Sequence, residues 1–256
     1  LEGNGSEKSL DLKDKYLMSV LENIKLERPI RLAIDCGNGA AGVIAEEVYK
    51  GLGCEVHSLY TEIDGNFPNH HPDPSKPENL TDLISLVKEK ELEVGLAFDG
   101  DADRLGVVSK EGKIIFPDMQ MVLFSTSILK RNQNAKIVFD VKCSKLLPEA
   151  IEEEGGTPIM SKTGHSYIKE RMRQENALLG GEMSGHIFFN DRWPGFDDGV
   201  YAGARMLEII SNLSEEGDIF KGLPKLVSTS EINLATTDEE KFIIVEDFIS
   251  KANYEN

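Results

Sequence analysis

The sequence predicts an α/β protein made of two related units, and three observations carry that expectation. Apolar runs of strand length alternate with helix-spaced patterns from about residue 13 to residue 226, the order that lays strands side by side beneath helices. The segments IRLAIDCGNGAAGVIAEEVYKGLGCEV and KIVFDVKCSKLLPEAIEEEGGTPI share one order of apolar strand, Asp, polar loop, helix, glycine stop and strand, a weak internal repeat. In each unit a later strand runs into a polar, glycine-containing loop, LAFDGDADR in the first and LLGGEMSGH in the second.

Taken in order, residues 30–34 read as a buried strand, 43–52 as a helix closed by Gly51 and Gly53, and 54–59 as the next strand. Residues 64–77 (DGNFPNHHPDPSKP) form a loop, because Pro, Gly and Asn deny them regular structure. A helix over 80–90 precedes a strand over 93–98, and two β-rich runs around Lys110, Glu111 and Gly112 give a hairpin. In the second unit, 137–141 reads as a strand, and 166–174 and 198–213 as helices. A boundary near Asp118 divides residues 13–118 from 119–226, each unit with its own polar loop at the end of a strand. Residues 1–12 are expected to be a flexible N-terminus, with LEGNGS an expression scar. The helix-spaced apolar run 241–249 makes 227–256 a linker and the incomplete start of a further domain.

With 28 Lys+Arg against 45 Asp+Glu the net charge is −17, and no basic run offsets it. That balance argues against nucleic acid and anionic membranes as partners. Cys36, Cys54 and Cys143 lack metal-ligand spacing and the N-terminus has no apolar signal core, so a reduced, cytoplasmic protein is expected.

Three carboxylates at alternate positions, Asp99, Asp101 and Asp103, can converge on one hard cation, with Gly100 and Ala102 leaving the backbone room to curl. An EF-hand does not fit, since its sixth and twelfth positions would be Arg104 and Lys110 in place of Gly and Glu. Arg104 either holds a phosphate beside the metal or neutralises the cluster. In the second loop, Glu182, Ser184 and His186 stand at every second position and would project to one side of an extended loop, offering donors and acceptors to a polyol. A turn capped by Ser184 beside a structural His186 is the alternative. Lys142 after a strand and His165 before a helix are candidates for charge stabilisation or proton transfer, against a solvated lysine and a helix cap. Residues 37–42 (GNGAAG) match G-x-G-x-x-G between a strand and a helix, so a dinucleotide site competes with tight packing. No acidic residue closes the second strand, which favours packing. His70 and His71 read as loop residues, and Trp193 as packing a turn before the helix at 198.

Taken together, DCGNGAAG, DGNFPNHHPDPSKPENL, GLAFDGDADRLGVV, FDVKCSKLL, KTGHSYIKERM, GGEMSGHIFF and GFDDGVYAGARMLEI resemble the α-D-phosphohexomutase family, most closely its bacterial phosphomannomutase/phosphoglucomutase branch. The resemblance implies two mixed-sheet α/β domains, the second and third of four. It also implies Mg²⁺ on Asp99, Asp101 and Asp103, with Arg104 on the phosphate side. Glu182, Ser184 and His186 then correspond to sugar recognition, and Lys142 and His165 to acid/base or electrostatic helpers. The implied partners are mannose or glucose 1- and 6-phosphates, their 1,6-bisphosphates, and the first and fourth domains of the same enzyme. Neither a TASHNP-like phosphoserine segment nor an RxSGTEP-like segment occurs in the sequence. The chain alone is therefore expected not to turn over, and metal and sugar-phosphate binding without turnover is the alternative reading. A phosphatase with Asp99 as nucleophile is disfavoured, because its D-x-D-x-[TV] pattern needs Thr or Val where Asp103 stands.

Overall fold

The computed structural model describes residues 5–214, 217–223 and 234–252. Part of LEGNGS and part of the expected linker lie outside the described residues. Residues 1–224 and 225–256 are separate compact units.

Among its described residues the larger unit forms two mixed sheets. The first has the order β2-β1-β3-β4-β5, formed by Glu55–Leu59, Arg31–Asp35, Val94–Phe98, Leu105–Ser109 and Ile114–Ile115. The second has the order β7-β6-β8-β9, formed by Thr157–Ser161, Lys136–Asp140, Leu179–Gly181 and Ile187–Phe189. In each, the strands linked through helices are parallel and those linked by tight turns are antiparallel. A two-residue-scale turn can reverse a chain, whereas a parallel partner needs a long crossover.

Every strand sends alternate residues to opposite faces. In the first sheet, Leu32, Ile34, Leu96, Phe98 and Val107 enter a central core, while Ala33, Ala97 and Val108 meet Leu83 and Val87 of α3 (Thr81–Glu89). In the second, Ile137, Phe139 and Phe189 join the same central core, and Val138 and Phe188 meet Ile168 and Met172 of α6 (His165–Glu175). Burying each such aliphatic side chain contributes about 1.5–3 kcal/mol. The central core is closed by α4 (Pro117–Leu129) and α7 (Gly199–Ser211), each of which packs against strands of both sheets. The boundary expected near Asp118 thus falls in the first turn of α4, where Asp118 is 1% exposed.

The remaining helices are α1 (Lys13–Asn23), α2 (Ala45–Gly51) and α5 (Leu146–Glu153). The helix expected over 43–52 is interrupted: a 3₁₀ turn, Ala40–Val43, precedes α2, and Ile44 between them is off-helical. The smaller unit supplies α8 (Glu240–Lys251), where the run at 241–249 is helical and Phe242, Ile243, Phe248 and Ile249 are exposed. Among the described residues no helix is long and apolar enough to cross a membrane.

Candidate active site

Two loops at strand ends meet. The turn after β3 carries Asp99, Asp101 and Asp103, and the turn between β8 and β9 carries Glu182, Ser184 and His186. Although the repeat assigned them to different units, their backbones are joined: Leu105 N donates to Gly185 O at 3.1 Å, and Arg104 and His186 form an antiparallel bridge. Gly199, the first residue of α7, adds a bond from its N–H to Ala102 O at 2.9 Å. A β-carbon on Gly199 would stand 2.6 Å from Arg104 O, so only glycine permits this approach.

The aspartate loop curls as expected, with Ala102 at φ +67° and its N–H donating to Asp99 O at 3.2 Å. One oxygen from each of Asp99, Asp101 and Asp103 lies within 4.8 Å of the others. This all-carboxylate set suits a hard cation. Asp103 Oδ1 is buried and has no hydrogen-bond partner among the described residues, which fits a cation-ligating oxygen. Asp99 is 0% exposed and accepts from Arg104 N at 3.0 Å and Arg104 Nε at 2.6 Å. Those bonds leave lone pairs for a cation but restrain the carboxylate against attacking phosphorus, which counts against Asp99 as a nucleophile. Arg104 Nη1 also reaches Asp73 Oδ1 at 3.6 Å, so the guanidinium sits among carboxylates with its side chain 28% exposed.

The second loop is not extended. Gly185, at φ +104°, closes a tight turn in which Gly185 N donates to Glu182 O at 3.0 Å and Glu182 N to His186 O at 3.0 Å. The alternation of an extended strand therefore does not set the directions of these three side chains. Glu182 is 2% exposed and its Oε1 accepts from Gly164 N, while Ser184 Oγ is buried without a partner among the described residues. His186 turns to the aspartates, with Nδ1 3.4 Å from Asp103 Oδ1 and 3.3 Å from Asp197 Oδ2.

Burial disfavours the charged imidazole of His186, but Asp197, Asp103 and Glu182 outweigh it and hold its pKa above the ordinary value. Burial, with Asp99 and Asp101 beside it, pushes Asp103 up to about 6. Against its own burial, Asp197 is held well below the usual carboxylate range by His186 and Lys169. His165, the first residue of α6, has a 54% exposed side chain with Nδ1 3.5 Å from Asp197 Oδ2, and its ring stacks on His186 with centroids 5.7 Å apart. Lys142 is exposed in the turn after β6.

Asp197 and Asp140, which the motifs did not single out, stand among the candidate site residues. Asp140, 0% exposed at the end of β6, accepts from Thr163 Oγ1 at 2.9 Å, Cys143 Sγ at 3.2 Å and Met183 N at 3.2 Å. One buried carboxylate thereby ties together the loops of Lys142, His165 and Glu182. His70 is likewise more than a loop residue: its Nε2 lies 3.0 Å from Asp35 Oδ2 and its Nδ1 3.0 Å from His71 O.

The glycine motif at 37–42 serves packing. The N–H groups of Gly37, Asn38, Gly39, Ala40 and Gly42 donate to Asp35, Tyr60, Cys36, Gly100 and Gly39 respectively, so they are committed within the protein. A β-carbon on Gly39 would stand 2.7 Å from Gly100 O, and one on Gly42 would collide with Thr61 O. The crowding that a pyrophosphate would need relieved is instead used to seat the aspartate loop.

Residues 14–112 match the family model "Phosphoglucomutase/phosphomannomutase, alpha/beta/alpha domain II", and residues 116–227 match "alpha/beta/alpha domain III" of the same family. The chain belongs to the phosphoglucomutase/phosphomannomutase family. It is 52% identical over 252 residues to a phosphoglucomutase of Neisseria gonorrhoeae, covering 98% of this chain and 55% of the relative. It is 51% identical over 245 residues to a phosphomannomutase/phosphoglucomutase of Pseudomonas aeruginosa PAO1, covering 95% of this chain and 53% of the relative. A crystal structure of a phosphoglucomutase/phosphomannomutase family protein from Burkholderia thailandensis superposes with a TM-score of 0.86 at 53% identity, covering 89% of this chain and 50% of that one. The chain thus spans about half the length of these phosphohexomutase relatives.

Proposed function

We propose that this chain carries the metal-binding and sugar-binding parts of a phosphohexomutase that interconverts hexose 1-phosphate and hexose 6-phosphate, with glucose or mannose as the sugar. The observation that supports this most is the backbone junction of the DGDADR and GEMSGH loops, which sets Asp103 beside His186. A phosphoryl site and a polyol site are useful to a mutase only if they share a cleft. The relatives' names, phosphoglucomutase and phosphomannomutase, support the same substrate class.

In this reading a phosphoserine of the same enzyme donates its phosphoryl group to the sugar, giving a hexose 1,6-bisphosphate that reorients and returns its other phosphate. The first and fourth domains of that enzyme complete the cleft. Asp99, Asp101 and Asp103 hold Mg²⁺, which when bound neutralises charge on the transferring group. Arg104, oriented by Asp99 and Asp73, places a fixed cation on the phosphate side. As the sugar oxygen bonds to phosphorus and the phosphorus–serine oxygen bond breaks, the hydroxyl proton passes to His165, with Lys142 offsetting charge nearby. Glu182, Ser184 and His186 orient the sugar hydroxyls.

A chimera tests this reading. Residues 14–227, the matched span, replace the corresponding segment of a full-length relative, and glucose 1-phosphate and mannose 1-phosphate are offered with Mg²⁺. Conversion to the 6-phosphate, abolished by Asp101→Ala, is expected. A folded chimera that binds neither sugar phosphate nor metal would refute it.

A further inference from the structure

We propose that Asp103, His186 and Asp197 form a second cation site, suited to a borderline transition ion such as Zn²⁺ rather than Mg²⁺, with His165 beside its open position. The site goes beyond the mutase reading and does not depend on it.

The donor set is the first argument. One imidazole nitrogen and two carboxylate oxygens suit Zn²⁺ or Co²⁺, whereas Mg²⁺ prefers an all-oxygen octahedron. Three protein ligands with a fourth position left open is an arrangement that Zn²⁺ accepts.

Distances supply the second. His186 Nδ1 lies 3.4 Å from Asp103 Oδ1 and 3.3 Å from Asp197 Oδ2, and one ligand atom from each of the three residues fits within 4.8 Å. An N–H···O bond is normally about 2.7–3.2 Å. Tetrahedral bonds of about 2.0–2.1 Å give ligand-to-ligand edges of about 3.3–3.4 Å. The spacing is therefore long for a hydrogen bond and right for the edge of a metal tetrahedron.

The third is unmet bonding capacity. His186 Nδ1 and Asp103 Oδ1 are both buried, and neither has a hydrogen-bond partner among the described residues. Buried polar atoms without partners are uncommon, and two facing each other across one gap point to a shared ligand.

The supporting shell is in place. Lys169 Nζ, 3.1 Å from Asp197 Oδ1, leaves Oδ2 directed at the histidines. The backbone of His186 is held by Glu182 N and by the bridge to Arg104. Fixing a ligand through its neighbours is what tunes a metal centre. His165, more than half exposed and 3.5 Å from Asp197 Oδ2, stands on the accessible side. Because Asp103 belongs to both clusters, an ion here withdraws a ligand from the aspartate loop and occupies His186, so its effect on phosphoryl transfer would be inhibitory.

Co²⁺ titration of the chain, read by visible absorption, tests the site. The wild type should develop the intense bands of low-coordinate Co²⁺, and Zn²⁺ should erase them. His186→Ala and Asp197→Asn, the latter conserving volume so that folding is kept, should each weaken Co²⁺ binding at least tenfold. Asp101→Ala, outside the ligand set, should leave the bands in place. Absence of the bands from the wild type, or their persistence in both His186→Ala and Asp197→Asn, would overturn the proposal. Loss of the bands in Asp101→Ala alone would also overturn it, by placing the ion in the aspartate loop. Lack of mutase activity in the chimera would leave this result untouched.

Discussion

Asp197 and Asp198 are adjacent in sequence and serve opposite sides of the chain. Asp197 faces His186, His165 and Lys169. Asp198 turns inward and caps α7, accepting from Tyr201 N at 2.9 Å, Tyr16 Oη at 2.9 Å and Trp193 Nε1 at 3.2 Å. An extended backbone sends consecutive side chains apart, so one doublet anchors a helix and completes the site.

Asp198→Ala should therefore destabilise by about 2–4 kcal/mol, combining a lost cap of about 1 kcal/mol with buried donors left unpaired at about 1–3 kcal/mol. Asp197→Asn should cost clearly less. Chemical denaturation of the two variants measures the order, and a larger loss in Asp197→Asn would contradict the division of roles.

Gly199→Ala should cost about 1–3 kcal/mol, because its methyl meets Arg104 O at 2.6 Å and Ala102 O at 2.9 Å. It should also weaken Mn²⁺ binding, although Gly199 has no ligand side chain, since the aspartate loop must move away from the start of α7 to admit it. Unchanged Mn²⁺ affinity in a destabilised Gly199→Ala would show that the contact between α7 and the aspartate loop does not shape the metal site.

His70 should titrate above its ordinary 6.5: burial opposes this, but the His71 carbonyl and the Asp35 carboxylate outweigh it. A raised folded value favours the protonated native state. Its contribution to stability is then complete below about pH 6.5 and is lost as pH rises through the folded pKa. NMR titration of the imidazole should show the raised value, falling in Asp35→Asn. A His70 pKa at or below 6.5 in the wild type would remove this account.

Much of this architecture was written locally. Each loop of the site follows an apolar strand, and the glycines and carboxylates of DGDADR announce a tight turn without reference to anything distant. The loop junction was not legible, because the Leu105–Gly185 bond joins residues far apart in sequence through the packing of α4 and α7. The expected extended form of the Glu182–His186 segment fails for a different reason: the positive φ of Gly185 folds it into a turn. Asp197 hid in a doublet that reads as a helix start, and Asp140 at the end of an apolar strand. For both, the signal is a carboxylate at the edge of a regular element, which sequence alone does not separate from a cap.

Glu182→Gln keeps an acceptor for Gly164 N, so stability should change little. If its carboxylate also receives sugar hydroxyls, replacing a charged acceptor by a neutral one removes part of a bond worth about 1.5–3 kcal/mol. In the chimera kcat/KM should fall tenfold or more, since about 1.4 kcal/mol is one factor of ten. Near-normal kcat/KM would return Glu182 to a purely structural role beside Gly164.

The most direct measurement of a shared metal and sugar-phosphate cleft is the ³¹P relaxation of glucose 1-phosphate in the presence of the chain and Mn²⁺. A phosphate held beside a bound paramagnetic ion is broadened beyond the effect of free Mn²⁺. That extra broadening should appear with the wild type and be lost both in Asp101→Ala, which removes a metal ligand, and in Glu182→Gln, which weakens the sugar contact. Broadening equal to that of free Mn²⁺, or unaffected by either substitution, would contradict the account.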